Sequence, residues 1–194
     1  GAKRGDVLAV RVLELTPRAP YGIISSRHGS GALPDEVSAD ESPVSVFASA
    51  GEVGGRPFGS IAVDGGRSLR FPLRPFLGLM GVATEGSGRR HSVPPGMHGG
   101  NLDISMLGVG ASLYLPVTID GAMFYTGDPH YSQGDGEVAL TAFEAPLRAT
   151  LQLEVLSGTD AITALPYAET PDFYVPIGLD EDLAEACALG HDLG

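Results

Sequence analysis

Histidine and carboxylate side chains that could do chemistry concentrate in residues 94–137. Two of the five histidines, His98 and His130, lie there together with Asp103, Asp128 and Glu137. Most of these residues stand beside glycine, which permits close backbone approach and dihedral angles closed to other residues. Polar side chains held in glycine-containing loops at strand ends commonly build metal and catalytic sites. The segment therefore predicts a chemical site.

The two histidine clusters complement each other as metal ligands. His98 and Asp103 are five residues apart, whereas Asp128 and His130 are two apart and would point to one face of an extended strand. Imidazole nitrogen and carboxylate oxygen, without thiolate, suit zinc or another borderline divalent ion. We expect His98, Asp128 and His130 to bind one metal ion, with Asp103 as a further ligand or the partner of a ligand.

Ordinary turns are the alternative interpretation of these clusters. Asn and Asp side chains frequently cap hairpin turns, and a few histidines and carboxylates at such spacing are not specific. Glu137 has two roles open to it. It either accepts a proton from the attacking water as a general base, or it caps a turn or binds the metal itself.

Strands must bring the two clusters together. Residues 112–117 and 122–126 predict a hairpin around an Asp-Gly turn, which would carry one cluster to the other. Further strands are predicted from alternating or β-branched stretches at residues 5–15, 44–48, 60–63, 68–73, 137–143 and 148–156. The segment 21–64 is otherwise predicted to be loose. Only residues 180–189 predict a helix, with an Asp cap before it and Gly190 after it.

These elements predict a mainly β fold, a sandwich or barrel-like body with little helix, in a single domain over residues 1–194. Hydrophobic residues make up 43% and charged residues 19%, which is typical of a globular chain. The net charge of −12, without a basic run, argues against nucleic acid or an anionic membrane as partner. No stretch approaches the roughly 20 apolar residues of a membrane span.

Cysteine usage narrows the chemistry further. The single cysteine, Cys187, excludes an internal disulfide framework and a cysteine-cluster zinc site, and it fits a reducing compartment. We therefore expect a cytoplasmic protein. The sequence contains no Gly-x-Ser-x-Gly nucleophile motif, and Cys187 lies far in sequence from either histidine cluster, which disfavours nucleophilic serine and cysteine hydrolases.

Three ordered motifs resemble the acetamidase/formamidase family. They are Pro-Gly-Met-His-Gly-Gly-Asn-Leu-Asp at 95–103, Gly-Val-Gly-Ala-Ser-Leu-Tyr-Leu-Pro-Val at 108–117, and Gly-Asp-Pro-His with Gln-Gly-Asp-Gly-Glu within 127–137. Flanking segments at 5–8 and 71–78 agree. The resemblance implies metal-dependent hydrolysis of short aliphatic amides, such as formamide and acetamide, to carboxylate and ammonia. It also implies a β fold and a homo-oligomer.

Within that chemistry the remaining residues acquire expected roles. Glu137 would be the general base, while Asn101 or the amides of Gly99 and Gly100 would hold the developing oxyanion. The resemblance further predicts family segments beyond both ends of this chain, with an N-terminal segment, from the same chain or a partner, pairing with the sheet. The alternative function is a metal-stabilised β-module that binds a ligand or partner without turnover.

Overall fold

The computed structural model describes residues 1–36, 42–86, 88–158 and 165–191. The chain divides into two compact units, which we describe separately. Unit 1 comprises Gly1–Glu14, Leu77–Asp128 and Thr150–Gly194, and unit 2 comprises Leu15–Phe76 and Pro129–Ala149.

The described residues are mainly β, which confirms the fold class predicted from the sequence. They form the strands β1 (Val7–Pro17), β2 (Tyr21–Ser26), β3 (Val44–Val53), β4 (Arg56–Val63), β5 (Arg67–Pro72), β6 (Phe76–Gly81), β7 (Gly99–Asn101), β8 (Ser112–Pro116), β9 (Tyr125–His130), β10 (Leu147–Leu156), β11 (Tyr167–Glu169) and β12 (Tyr174–Pro176), and one α-helix, α1 (Leu183–His191).

Most residues of two sheets belong to unit 1. The larger sheet has the strand order β10-β1-β8-β11-β12, and the smaller has the order β7-β6-β9. In the antiparallel β1–β8 pair, Leu8 lies opposite Leu115 and Val10 opposite Leu113, and all four side chains are buried. Cross-strand pairs of apolar side chains are a main source of sheet stability, so this pair anchors the core of unit 1.

The predicted hairpin of residues 112–117 and 122–126 is wrong. The sheet neighbours of β8 are β1 and β11, and β9 lies beside β6. The physical reason is the backbone between them. Ala122 (φ 56°) and Met123 (φ 51°) both occupy the left-handed region, and two consecutive non-glycine residues in that conformation turn the chain away from the extended path of a hairpin strand.

Unit 2 contains an antiparallel sheet in the order β2-β3-β4-β5. A short 3-10 turn at Asp64–Gly66 joins β4 to β5, with Gly65 at φ 76°. The segment 21–64 holds three strands: β3 and β4 contain the predicted stretches 44–48 and 60–63, whereas β2 lies where a loose chain was predicted. The buried cluster of this unit consists of Ala48, Leu73, Tyr131, Phe143 and Ala145.

Residues 137–143 do not form the predicted strand. A short 3-10 turn covers Asp135–Glu137, and both Glu137 (φ 43°) and Leu140 (φ 94°) have left-handed backbone conformations. An extended ladder cannot pass through two such residues, so the segment forms consecutive turns. It returns to extended pairing only near Phe143.

The predicted helix is confirmed with shifted bounds. Its cap is Asp182, whose Oδ1 accepts the backbone N–H groups of Ala184 (2.8 Å) and Glu185 (3.2 Å). A carboxylate there satisfies donors that have no partner within the helix and interacts favourably with its positive end. Within the described ranges, no helix has both the length and the apolar composition needed to cross a lipid bilayer.

Candidate functional site

The candidate site of unit 2 is built on residues 129–145, which fold back on themselves. The Tyr131 N–H donates to the Phe143 carbonyl (2.9 Å), and this pairing places His130 opposite Glu144 in an antiparallel bridge. Glu144 also exchanges two backbone hydrogen bonds with Ile23 of β2, at 2.9 and 3.0 Å. The backbone of Glu144 is thus fixed from both sides.

His130 and Glu144 form a close pair. The imidazole Nε2 lies 3.2 Å from Oε1 of Glu144, and the histidine side chain is 1% exposed against 31% for the glutamate. The backbone N–H of Ala142 donates to the same carboxylate oxygen at 3.0 Å. The edge-on ring of Phe76 covers the imidazole, with ring centres 4.9 Å apart. The pair therefore has one dry side and one side open to solvent.

The other imidazole nitrogen is also engaged. Nδ1 of His130 lies 3.0 Å from Oε1 of Gln133. An amide oxygen can only accept, so with this amide orientation Nδ1 carries the hydrogen. Without a proton on Nε2, its lone pair faces Glu144; with one, the imidazolium donates to that carboxylate. The neutral tautomer is the one that binds a cation through Nε2.

Glu137 approaches the same histidine. One of its carboxylate oxygens lies within 4.8 Å of a nitrogen of His130, as does one oxygen of Glu144. Its backbone is held by two turn hydrogen bonds, from its N–H to Gly134 and from Leu140 to its carbonyl. A glutamate at φ 43° is unusual, and such conformations persist where the surroundings impose them, often at functional sites.

The donor pair of His130 and Glu144 suits a divalent cation. It supplies one imidazole nitrogen and one carboxylate oxygen, the N/O chemistry suited to zinc and similar ions. At the tetrahedral angle, two ligands about 2.0–2.2 Å from one zinc ion are separated by roughly 3.4 Å. The observed distance between His130 Nε2 and Glu144 Oε1 is 3.2 Å. We call these two residues the unit 2 pair.

His98, predicted as a metal ligand, lies in unit 1 and is 7% exposed. It lines a hollow of about 410 Å³ together with Thr84 and Arg90. Burial, and secondarily the positive charge of Arg90, lower the pKa of His98 below its ordinary value. His98 is therefore neutral at neutral pH, the form able to bind a cation.

The other predicted residues of unit 1 are locally organised. Asn101 ends β7, and its Nδ2 donates to Oδ2 of Asp103 at 2.7 Å. Asp103 itself has a left-handed backbone, at φ 49°. The amide of Gly99, predicted to hold an oxyanion, already donates to the carbonyl of Gly96 at 2.8 Å. Gly100, at φ 100°, also has a conformation that favours glycine.

Asp128 lies on β9 two residues before His130, as predicted, but its φ of 52° interrupts the extended backbone. The alternation rule that would place both side chains on one face therefore does not apply there. Among the described residues of unit 1, no three His, Cys, Asp or Glu ligand atoms lie within 4.8 Å of one another. The four-residue metal site of His98, Asp103, Asp128 and His130 stays a prediction.

Sequence reasoning missed Glu144 and Gln133. A signal for Glu144 was present, since it is an acid within the otherwise apolar stretch Ala-Phe-Glu-Ala-Pro-Leu at 142–147. An isolated acid in such a stretch is unusual unless it has a partner. Gln133 is the first residue of the Gln-Gly-Asp-Gly-Glu motif, but its role depends on its position relative to the imidazole, which the sequence does not report.

Comparison with known proteins supports the family resemblance. The model of the "Acetamidase/Formamidase family" matches residues 82–175. An acetamidase of Mycolicibacterium smegmatis is 43% identical over 60 residues, which are 31% of this chain and 14% of that protein. A formamidase of Methylophilus methylotrophus is 46% identical over 57 residues, 29% of this chain and 13% of that protein.

Structural comparison extends over more of the chain. The crystal structure of an acetamidase from Bacillus halodurans superposes with a TM-score of 0.82 and 31% identity, covering 97% of this chain. This chain spans 59% of that solved chain, and its matched segments span less than a fifth of the two curated relatives. The resemblance predicted from the sequence motifs is confirmed.

Proposed function

From the premise that residues 82–175 carry the acetamidase/formamidase family pattern, we propose that this chain hydrolyses short aliphatic amides, of the formamide and acetamide type, to carboxylate and ammonia. We propose further that the reaction depends on a divalent metal ion, zinc being the best fit to nitrogen and oxygen donors. The observation that carries the proposal is the buried His130, 3.2 Å from Glu144 and fixed by Gln133.

In this proposal His130 and Glu144 hold the ion. When bound, such an ion polarises a carbonyl group and increases the acidity of water. Gln133 keeps the imidazole in the tautomer that leaves Nε2 available, and the Ala142 amide orients the carboxylate of Glu144. His98, Asp103 and Asp128 are the further ligands predicted from the sequence.

Glu137 is the proposed general base. An amide is a poor electrophile and its nitrogen is a poor leaving group, so water must lose a proton and the departing nitrogen must gain one. A carboxylate held close to the reacting atoms can transfer this proton from one to the other. Its oxygen lies within 4.8 Å of an imidazole nitrogen of His130, and its turn geometry fixes its backbone. Asn101 is the proposed donor to the oxyanion.

The proposed setting is a cytoplasmic homo-oligomer. Its grounds are the single cysteine, which suits a reducing compartment, and the family resemblance. The second candidate function is a metal-stabilised β-module that binds a ligand without turnover. The same pair of His130 and Glu144 would hold the metal in that module.

The test combines metal content with ammonia release from formamide and acetamide, against a metal-stripped control. Ammonia release above the control supports the enzyme, whereas bound metal without turnover supports the binding module. In Glu137→Gln we expect turnover to fall by roughly 10² while metal content stays near wild type, because the substitution keeps shape and removes basicity.

The matched control is Glu36→Gln, an exposed glutamate of the same unit. It should change neither turnover nor metal content. Unchanged turnover in Glu137→Gln would exclude the base role, and loss of metal would make Glu137 a ligand instead.

A further inference from the structure

Strand β10 forms one edge of the larger sheet. It runs for ten residues, and among the described residues its neighbour in the sheet is β1 alone. The opposite edge strand, β12, has three residues and ends at Pro176. Short edge strands and proline limit pairing with other chains, whereas a long edge strand offers N–H and C=O groups to a further strand. Since β10 contains no Pro, Gly or Lys, its outer edge is a suitable pairing surface.

Both faces of β10 are open to solvent. None of its ten residues is buried, and Leu153 and Val155 are 51% and 41% exposed. Side chains alternate between the two faces of a strand, so the apolar residues of β10 form a single row on one face. An exposed apolar row of this kind is typical of an interaction surface. The row consists of Leu147, Ala149, Leu151, Leu153 and Val155.

The sequence of β10 is complementary to itself when two copies run antiparallel about Leu151. With Leu151 of one copy opposite Leu151 of the other, Arg148 lies opposite Glu154 at two symmetric positions. The same register sets apolar residues opposite one another, because directly opposed residues share a face. Moving the centre by one residue in either direction removes both charge pairs. The opposed apolar pairs are Leu147 with Val155 and Ala149 with Leu153.

We propose that β10 pairs antiparallel with β10 of a second copy of this chain, across a two-fold axis at Leu151. An interface of this type uses the same surface on both copies, as most homodimers do. The nine opposed residues of 147–155 would make about eight to ten backbone hydrogen bonds, the number found in specific protein interfaces. The inference gives the proposed homo-oligomer an interface and does not depend on the proposed amide hydrolysis.

Charge reversal tests the pairing through the dissociation constant of the dimer, measured by analytical ultracentrifugation of the full chain. Arg148→Glu places a carboxylate opposite Glu154 at both symmetric positions, and it should raise this constant by about 30-fold because like charges replace opposite ones. Combining Arg148→Glu with Glu154→Arg restores both pairs in reversed polarity and should return the constant to within about threefold of wild type. The matched control is Arg56→Glu, exposed on β4, which changes the net charge equally and should leave the constant near its wild-type value.

A disulfide bond tests the register. Opposed residues of an antiparallel pair have Cα atoms roughly 4.5–5.5 Å apart, a separation that a disulfide can bridge. The exposed Cys187 is first removed as Cys187→Ala. In that background Leu151→Cys should cross-link two chains under mild oxidation. Glu154→Cys should not, because its symmetric counterpart lies six residues along the partner strand, about 20 Å away.

The outcomes separate this interface from the proposed function. A chain that sediments as a monomer at all concentrations overturns the inference, as does a dimer whose dissociation constant is the same in Arg148→Glu. Cross-linking through Glu154→Cys but not through Leu151→Cys assigns the contact to another register and also overturns it. A dimer cross-linked at Leu151→Cys that releases no ammonia from any amide overturns the proposed function alone. Ammonia release from chains that do not cross-link at Leu151→Cys overturns the interface alone.

Discussion

Removal of the Tyr131 hydroxyl should destabilise the protein strongly. The side chain is fully buried, and its hydroxyl accepts the backbone N–H groups of Arg18 (2.9 Å) and Ala19 (3.0 Å). The hydroxyl hydrogen donates to the carbonyl of Ala19 or Pro146, at 2.9 and 3.0 Å. The Tyr131 hydroxyl thus takes part in three hydrogen bonds in unit 2, and Tyr131 directly follows His130 in the sequence.

Tyr131→Phe leaves two N–H donors and a carbonyl acceptor without this partner. The Arg18 N–H also donates to the Pro146 carbonyl at 2.9 Å and keeps that partner, so two net hydrogen bonds are lost. Each contributes about 1 kcal/mol, so we expect the free energy of unfolding to fall by about 2 kcal/mol. In a chain of this size that corresponds to a decrease in Tm of about 4–8 °C. Urea denaturation followed by circular dichroism measures the change, provided that the transition is two-state.

The matched control is Tyr21→Phe, which removes the same hydroxyl from a side chain that is 59% exposed in the same unit. It should change the free energy of unfolding by no more than about 0.5 kcal/mol. A Tyr131→Phe variant as stable as Tyr21→Phe would refute the reasoning, because it would show that water replaces the lost partners at no cost.

Three further predictions concern the packing around Gly22, the loss of stability at alkaline pH and the binding of zinc. Gly22→Ala should lower the free energy of unfolding, measured by urea denaturation, by at least about 3 kcal/mol, since a Cβ there would collide with the Glu144 carbonyl and lie 2.7 Å from Ala145 Cβ. In Gly134→Ala, where the Cβ meets open space, the free energy of unfolding should stay within about 1 kcal/mol of the wild-type value. Burial raises the pKa of Tyr167 to about 12, so the ultraviolet difference titration between wild type and Tyr167→Phe should show a phenol ionising near there. In the unfolded chain this phenol ionises near pH 10, so the stabilising contribution of protonated Tyr167 is complete below about pH 10 and is lost as pH rises through about 12. A phenol of the folded protein that instead ionised near pH 10 at this position would contradict the prediction. Saturating zinc should raise Tm in calorimetry, by an amount equivalent to at most about 2.7 kcal/mol at one hundred times the dissociation constant, and Glu144→Gln should remove most of the shift; an equal shift in that variant would exclude Glu144 as a ligand.

The strands were predictable where apolar residues alternate locally. In β1 and β8 the buried side chains could be recognised in this way, and both strands lie within a residue or two of their predicted bounds. The 112–126 hairpin was not predictable, because Ala122 and Met123 adopt left-handed conformations that the residue types themselves disfavour. Tertiary contacts impose those dihedral angles, and a single sequence does not report such contacts.

The candidate site was predictable in its glycine-flanked members and not in its partners. His130 and Glu137 could be found because turn residues surround them in a short segment. Glu144 pairs with His130 only through the register of the 129–145 segment, set by the hydrogen bond between Tyr131 and Phe143. That register depends on two left-handed residues between them, Glu137 and Leu140, and no rule of local propensity predicts either conformation.

The nearness in sequence of His130 and Glu144 has a consequence for the denatured chain. Both lie within residues 130–144, so one short loop brings them together. The entropy of closing so short a loop is small, and the denatured ensemble therefore keeps part of the affinity for the cation. Since binding to the unfolded chain offsets binding to the native one, added metal should stabilise this protein less than its native dissociation constant alone would predict.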